Sequence, residues 1–292
     1  MITDDDVRAY LDRLQVEPEP ASADALIRLH RAQVEHVPYE TTWIHMDERW
    51  GVERVDSFRR IAHLGRGGYC FHVNGAFSLL LEELGYRVSL HVGGVHGPDG
   101  PATELMENHL VLLVHDLPTG ANPGGTWYVD AGLGDALHEP LPLVAGRYRQ
   151  DPFDFVLSAD GTDPGAASIG DWRFHHDPRA SFTGMAFRST PASIDDFAAR
   201  NAQLSTAPDS GFVKVVTAQR RDATGVDVLR GQMLRRVDGT TGGERVLATQ
   251  REWFEALADV FSLRPRDVST DQADHLWRRV HAAHQAWMAG KR

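Results

Sequence analysis

The sequence predicts an α+β fold, with helices in the first part of the chain and short strands in the middle. Three observations support this. Apolar residues recur at helical spacing before residue 85, short strand-like runs separated by turns follow, and two helical segments close the chain. We therefore expect a helical domain at 1–85, a β domain at 86–190 and a mixed α/β domain at 191–292.

The helical domain is predicted from three segments. The first spans 4–15, and the second runs from a cap at Ser22 or Asp24 to Val34. The third begins at or next to Cys70. Its apolar face consists of residues at i, i+4, i+7, i+8 and i+11, namely Val73, Phe77, Leu80, Leu81 and Leu84.

The middle of the chain reads as strands joined by glycine- and proline-rich loops. A strand is expected at 86–95 and a second at 109–117, which is apolar on both faces and is therefore expected to be buried. Loops are expected at 97–101 and 118–125. Further short strands are expected at 126–131, 141–143, 148 and 153–157.

The last part of the chain mixes both element types. A helix is expected at 195–203, and strands at 211–221 and 226–237. Two helices close the chain at 252–261 and 269–287. Ser269 and Gln272 have the spacing of a capping box at the start of the second of these helices.

Composition excludes several classes of function. The net charge of -11 argues against a nucleic-acid partner, because phosphate binding needs clustered Lys and Arg. No apolar run reaches the ~18 residues that a membrane span needs. The single cysteine cannot form an internal disulfide, and the acidic start of the chain lacks the basic and apolar regions of a signal peptide. We therefore expect a cytoplasmic protein without a membrane partner.

Cys70 is the candidate nucleophile. At a helix N-terminus the partial positive charge of the helix favours thiolate over thiol, although a lone cysteine is more often a small buried hydrophobe. His109 begins a strand that follows the Cys70 helix, and Asp130 ends the next strand. They are the best candidates for a base and for the group that orients it. The sequence contains 15 histidines, so spacing alone does not select His109.

Three central motifs resemble those of the arylamine N-acetyltransferase family. Arg66-Gly67-Gly68-Tyr69-Cys70-Phe71 is similar to the family's active-site signature. The segment that His109 opens resembles the catalytic histidine segment, and Trp127 to Gly134 resembles the Val-Asp-Val-Gly-Phe-Gly segment. The order Cys, His, Asp is also the family order.

The resemblance implies a three-domain fold of helical bundle, β-barrel and α/β lid, with a core like that of cysteine proteases. It implies that acetyl-coenzyme A (acetyl-CoA), a co-substrate rather than a bound cofactor, acylates Cys70 before an arylamine or hydrazine takes the acetyl group. His109 would act as base and then acid, and Asp130 would hold the imidazole. It also implies that Arg66 and Glu40 form a buried pair. The substrate-binding positions that it implies are Tyr39, Phe71, Val95, Leu133 and Gly134.

Alternative functions remain open at this point. Leu133 stands where the family usually has Phe, which favours a different acceptor. An amide synthase that takes a natural-product acyl thioester, with an acyl-carrier protein as partner, is therefore the runner-up. A cysteine hydrolase and a non-catalytic binding protein are alternatives of other classes. No metal site is expected, because His281 and His284 share a helix face without a Cys or carboxylate at zinc-site spacing.

Overall fold

The computed structural model describes residues 1–97, 104–159, 169–240, 243–264 and 266–290. Within them the fold is mixed α and β, as the sequence predicts, with a helical N-terminal part, a nearly closed barrel-like sheet and a C-terminal sheet flanked by helices. Most of the loop predicted at 97–101 lies outside the described residues.

The N-terminal part is a bundle of helices around one buried helix. Its elements are α1 (Asp4–Leu14), α2 (Ala23–His36), β1 (Tyr39–Glu40), α3 (Thr42–His45), α4 (Arg54–Leu64) and α5 (Cys70–Glu83). The three predicted helices are present, and Ser22 is the residue that caps α2, where its hydroxyl accepts a hydrogen bond from the Ala25 N–H at 3.1 Å. The sequence analysis did not predict α4, which packs on both α1 and α5.

Helix α5 lies at the centre of this bundle. Its buried residues include nearly every position from Cys70 to Leu81, so the helix is buried all round rather than on one face. It ends before Gly85, whose positive φ of 88° allows the chain to turn sharply into the next strand. The start of α5 is therefore fixed by packing on all sides.

The middle of the chain forms an antiparallel sheet that curves into a barrel. Its strands are β2 (Arg87–His96), β3 (His109–His115), β4 (Trp127–Val129), β5 (Leu141–Pro142), β6 (Gly146–Gln150), β7 (Phe153–Ala159), β8 (Trp172–His175) and β9 (Gly184–Ala192). Within the described residues their order is β5-β4-β3-β2-β9-β8-β7-β6. Strands β8 and β9, which the sequence analysis did not predict, join β2 to β7. The inside of the barrel is filled by an apolar cluster that includes Tyr128, Phe153, Phe155, Phe174 and Phe187.

The C-terminal part adds a second antiparallel sheet. After a 3₁₀ turn at Ile194–Phe197, its elements are α6 (Ala198–Thr206), α7 (Gly211–Lys214), β10 (Thr217–Asp222), β11 (Gly225–Arg230), β12 (Met233–Asp238), β13 (Glu244–Val246), α8 (Gln250–Asp259) and α9 (Thr270–Gly290). In the described residues the strand order is β1-β10-β11-β12-β13. The predicted capping box of the last helix is present, with Ser269 N–H donating to Gln272 Oε1 at 2.9 Å and Gln272 N–H donating to Ser269 Oγ at 3.3 Å.

Two of the predicted C-terminal strands are wrong in detail. Residues 211–214 form a short helix because the Ser210 hydroxyl accepts a hydrogen bond from the Phe212 N–H and caps a helical turn. The strand predicted at 226–237 is two strands, β11 and β12. Gly231, with φ of 59°, makes the turn between them.

Strand β1 connects the first and last parts of the chain. Tyr39 pairs with Gln219 and Glu40 with Ala218 on β10. On its other side, the Glu40 N–H donates to the Gly68 carbonyl at 2.9 Å, two residues before Cys70. The loop that leads into α5 is thereby held against the C-terminal sheet.

Candidate active site

Cys70 is the first residue of α5 and is almost completely buried, with 4% of its surface exposed. The extended residue Tyr69 precedes it, and no side chain caps the helix there. Glycine is required at position 67 by close packing and at position 68 by the backbone conformation. A Cβ on Gly67 would lie 2.1 Å from the Pro38 carbonyl oxygen, and Gly68 has φ of 144°. These glycines let the loop pass close to β1 and place the sulfur at a helix N-terminus, where negative charge is favoured.

The structure brings His109 and Asp130 together. His109 opens β3 and Asp130 follows β4, and the antiparallel register pairs Leu112 with Val129. His109 Nε2 lies 2.8 Å from Asp130 Oδ2, and both residues are buried. Because Asp130 holds Nε2, Nδ1 is the ring nitrogen left for the Cys70 thiol, with which the imidazole interacts through charge and a hydrogen bond.

Asp130 receives hydrogen bonds from four directions. Besides His109, the Tyr128 hydroxyl donates to Oδ2 at 3.0 Å. The other oxygen accepts from Asn74 Nδ2 at 2.8 Å and from the Gly132 N–H at 3.0 Å. A carboxylate with this many donors is held in one orientation.

Asn74 and Tyr128 were missed by the sequence analysis. Asn74 lies one turn after Cys70 on α5 and is completely buried. Its Nδ2 also donates to the Leu110 carbonyl at 2.7 Å, and its Oδ1 accepts from the Ala131 N–H at 2.9 Å. Asn74 thus ties the helix that carries Cys70 to the strands that carry His109 and Asp130. An amide residue on a largely apolar helix, four positions after the cysteine, is the signal that could have identified it.

The charges around His109 oppose the effect of its burial. Burial alone lowers the pKa of the imidazole, but the Asp130 carboxylate and the Cys70 sulfur raise that pKa to about 10. Burial also raises the pKa of Tyr128 well above its usual value, and the Asp130 carboxylate adds to this, so the hydroxyl stays a donor. Near neutral pH the imidazole is therefore protonated, and it holds a proton beside the sulfur.

Gly132 allows the Asp130 loop to approach the nucleophile. A Cβ on this residue would lie 2.7 Å from Cys70 Cα and 2.9 Å from Asn74 Nδ2. Because one of the obstructing atoms belongs to the backbone, it cannot move away without distorting the start of α5. A side chain at position 132 would push the Asp130 loop away from α5 and stretch the hydrogen bonds described above.

Arg66 and Glu40 are both completely buried, but they do not pair with each other. Arg66 forms ion pairs with Glu48 and, at 3.4 Å, with Asp267. Glu40 points the other way, and its Oε2 accepts hydrogen bonds from the Thr42 N–H at 2.6 Å and the Thr42 hydroxyl at 2.5 Å. The expected Arg66–Glu40 pair is therefore wrong, because Arg66 pairs with carboxylates from two other segments and Glu40 is bound by Thr42.

The predicted substrate-binding residues fall into two groups. Tyr39 and Val95 lie near the sulfur. The Cys70 charge contributes to raising the pKa of the buried Tyr39, after burial itself, and Val95 pairs through its backbone with Asn108, whose carbonyl is 3.7 Å from Cys70 Sγ. Phe71 instead faces the helical core, where its ring contacts Tyr69 and Phe197.

Leu133 and Gly134 lie just beyond the Asp130 loop. Leu133 is buried in the apolar cluster of the barrel. A Cβ on Gly134, whose φ is 74°, would lie 2.0 Å from Gln219 Oε1 and 3.4 Å from the Tyr39 ring, so the backbone passes close to β1 and β10 there. Gly134 thus belongs with Tyr39, whereas Leu133 is packed away from solvent.

The described residues contain no group of three or more His, Cys, Asp or Glu side chains arranged to hold a metal ion. Among them, no helix is both long enough and apolar enough to cross a membrane.

Comparison with known proteins agrees with this geometry. The family model described as N-acetyltransferase matches residues 22–289. Arylamine N-acetyltransferase, pineal gland isozyme NAT-3, of Gallus gallus is 29% identical over 247 residues, which cover 78% of this chain and 82% of the relative. Arylamine N-acetyltransferase of Mycolicibacterium smegmatis is 26% identical over 295 residues, 95% of this chain and 96% of the relative.

The fold agrees as well. The solved structure of Mycobacterium marinum arylamine N-acetyltransferase in complex with CoA superposes with a TM-score of 0.81 at 23% identity, and the match covers 95% of this chain and 99% of that one. A family model that spans almost the whole chain, relatives of one kind and a shared fold lead to one conclusion: the chain belongs to the arylamine N-acetyltransferase family.

Proposed function

We propose that this protein transfers an acetyl group from acetyl-CoA to the nitrogen of an arylamine or hydrazine, by way of an acetyl thioester on Cys70. The observation that carries the proposal is the buried arrangement in which Asp130 holds His109 at 2.8 Å and the second ring nitrogen of His109 faces the thiol. The relatives named above are arylamine N-acetyltransferases, and one solved neighbour is a complex with CoA, which supports this donor and this acceptor class.

In the first half of the cycle, the Cys70 thiolate attacks the acetyl carbonyl of acetyl-CoA. A carbon–sulfur bond to Cys70 forms and the bond to coenzyme A breaks, while the imidazolium of His109 gives its proton to the leaving thiolate. In the second half, the amine nitrogen attacks the acetyl carbon and the Cys70 thiolate leaves. His109 takes the proton that the amine loses, which restores the starting ion pair.

Asp130 acts in this scheme as a positioning residue. Its contact with Nε2 keeps Nδ1 towards the sulfur and stabilises the charged imidazole. The backbone N–H of Cys70, at the start of a helix without a side-chain cap, is a suitable donor to the oxygen of the tetrahedral intermediate. Both halves of the cycle pass through such an intermediate, so one oxyanion site serves both.

We further propose that Tyr39, Val95 and Gly134 line the acceptor cavity beside Cys70. Leu133 can contact the acceptor only if the acceptor reaches past the Asp130 loop, and Phe71 only if it reaches past the start of α5. Three domains at 1–85, 86–190 and 191–292 remain our proposed division, with the first donating β1 to the sheet of the third. A cytoplasmic location agrees with a single free cysteine that needs its thiol.

The relatives do not favour the alternatives. An amide synthase served by an acyl-carrier protein would share the triad and differ in its donor, and a cysteine hydrolase would release the acyl group to water. Initial-rate kinetics distinguishes the three. We expect release of coenzyme A to depend on the amine acceptor, with parallel double-reciprocal plots for the two substrates. Release that is independent of any amine would favour a hydrolase, and no release from acetyl-CoA would favour another donor.

A further inference from the structure

A pocket opens at the end of the barrel opposite the triad. Its volume is about 380 Å³, and its lining includes Ser89 and His91 from β2 and His115 from β3. His109 begins β3 and His115 ends it. At about 3.3 Å per residue, six steps along the strand place His115 about 20 Å from His109. The catalytic groups therefore do not belong to this pocket.

Two imidazoles converge on a single oxygen in this pocket. Ser89 Oγ lies 2.7 Å from His91 Nε2 and 2.6 Å from His115 Nε2. The other ring nitrogen of His91 lies 3.2 Å from the Thr190 carbonyl oxygen. A carbonyl can only accept a hydrogen bond, so Nδ1 of His91 carries the proton and Nε2 presents its lone pair to the pocket.

An irregularity in the sheet provides that carbonyl. The pairing of β2 with β9 shifts register here. His91 pairs with Pro191 but Gly93 pairs with Phe187, so an advance of two residues on β2 corresponds to four residues on β9. Thr190 therefore falls outside the regular ladder, and its carbonyl is free to accept from an imidazole. A histidine that donates one ring N–H to a backbone carbonyl and directs the lone pair of its other nitrogen into a pocket, here towards the Ser89 hydroxyl, has the usual arrangement of a metal ligand.

We propose that His91 and His115 bind a divalent transition-metal ion of the zinc or copper type, with the Ser89 hydroxyl and water completing its coordination. Metal–nitrogen distances are about 2.0–2.1 Å, so an ion at the present position of Ser89 Oγ requires each ring to move by only about 0.6 Å, while the Ser89 side chain turns to place its hydroxyl beside the ion. Two protein imidazoles make a weaker site than the four ligands of a structural zinc site, and this agrees with the absence of a third His, Cys, Asp or Glu ligand among the described residues.

The electrostatics of the pocket allow a cation. Arg87 is the one Lys or Arg among the lining residues. Its charge is already paired with Asp116, at 2.5 Å from Nε and 2.9 Å from Nη2. An anion would gain little from that guanidinium, and a metal ion is not strongly repelled by it.

The test is a copper titration of the full-length Cys70→Ala variant, in which no thiol can bind the metal. Cu²⁺ is the probe because it binds nitrogen ligands most strongly among the common divalent metals. We expect one equivalent to bind, with hyperfine splitting from two imidazole nitrogens in the electron paramagnetic resonance spectrum. Adding His91→Ala or His115→Ala should weaken binding at least tenfold and remove one nitrogen from the spectrum.

Two control variants make the test specific. Ser189→Ala changes the same pocket without removing a ligand, and the double variant His281→Ala, His284→Ala removes a close histidine pair on helix α9. Both should bind copper as the parent does. If the buried His91 variant fails to fold, the half-buried His115 carries the test alone. The proposal fails if copper does not bind stoichiometrically, if the spectrum shows fewer than two nitrogens, or if the α9 variant alone loses binding.

Discussion

Replacing Asn74 by alanine tests whether the hydrogen bonds behind the triad govern activity. The change leaves the buried Ala131 N–H without its acceptor and removes one of the two donors to Asp130 Oδ1. An unsatisfied buried donor costs about 1–3 kcal/mol, and a hydrogen bond to a charged group contributes about 1.5–3 kcal/mol. We therefore expect the free energy of unfolding to fall by about 2.5–6 kcal/mol, the sum of these two contributions.

The effect on catalysis is set by the bond to Asp130. If its whole free energy is lost from the transition state, kcat/KM falls by roughly 10- to 150-fold, since 1.36 kcal/mol is a factor of ten. The matched control is Ser78→Ala, one turn further along α5. Ser78 is also completely buried, but it bonds to Gly75 and Arg54 rather than to the triad.

The assay compares denaturant unfolding with kcat/KM for both variants. Ser78→Ala should lose stability by about 1 kcal/mol and keep nearly all activity. Asn74→Ala should lose both stability and activity. Acylation of Cys70 should slow as well as overall turnover. Wild-type kcat/KM in a folded Asn74→Ala protein would refute the argument, because Asp130 would then be held adequately by His109, Tyr128 and Gly132 alone.

Three further predictions concern the triad and its surroundings. Asp130→Asn should fold but lose most of its turnover, about 10⁴-fold in kcat by analogy with a triad carboxylate, because an amide favours the wrong imidazole tautomer; near-normal turnover would assign the orienting role to another group. The raised pKa of His109, about 10 against about 6.5 in the unfolded chain, means that the native state binds more protons between these values. Stability should therefore decline as pH rises from about 6.5 to about 10, and His109→Gln should flatten this decline in unfolding experiments. Because Leu133 is buried in the barrel cluster, Leu133→Phe should overpack that cluster, lower the free energy of unfolding by about 1–3 kcal/mol and leave kcat/KM for a small arylamine without a gain; a rise of roughly twofold to tenfold, with normal acylation of Cys70, would instead place residue 133 beside the acceptor.

Local patterns in the sequence predict much of the fold. Helices α1, α2 and α5 and strands β2 and β3 follow from apolar spacing and from turn residues, because one or both of their faces are buried. Helix α4 was not predicted because Glu53, the residue before the helix, makes no side-chain cap, and because only three residues of the helix are buried. Strand β9 escaped because half of it is exposed and irregular, so tertiary pairing with β2 rather than its own pattern makes it a strand.

The residues of the candidate site could likewise be predicted only in part. Cys70, His109 and Asp130 could be identified from motifs, but the register that brings His109 to Asp130 follows an irregular turn that no local pattern determines. Asn74 acts through a contact between distant segments, which becomes visible only when α5 lies across the ends of β3 and β4. Tyr128 lies only two residues before Asp130, but its role depends on the fold that directs its hydroxyl to the carboxylate. Arg66 and Glu40 show the opposite error, in which two buried charges were expected to pair and each found a partner elsewhere.

The most direct test of the central claim is the intact mass of the protein after brief incubation with acetyl-CoA. We expect one added acetyl group, its absence in Cys70→Ser, and its loss when a small arylamine or hydrazine is added. Iodoacetamide labelling of the wild-type protein, checked in parallel, confirms that Cys70 is accessible and reduced. No adduct on a protein whose Cys70 is shown to be reactive, or an adduct that persists in Cys70→Ser, would contradict the thioester mechanism.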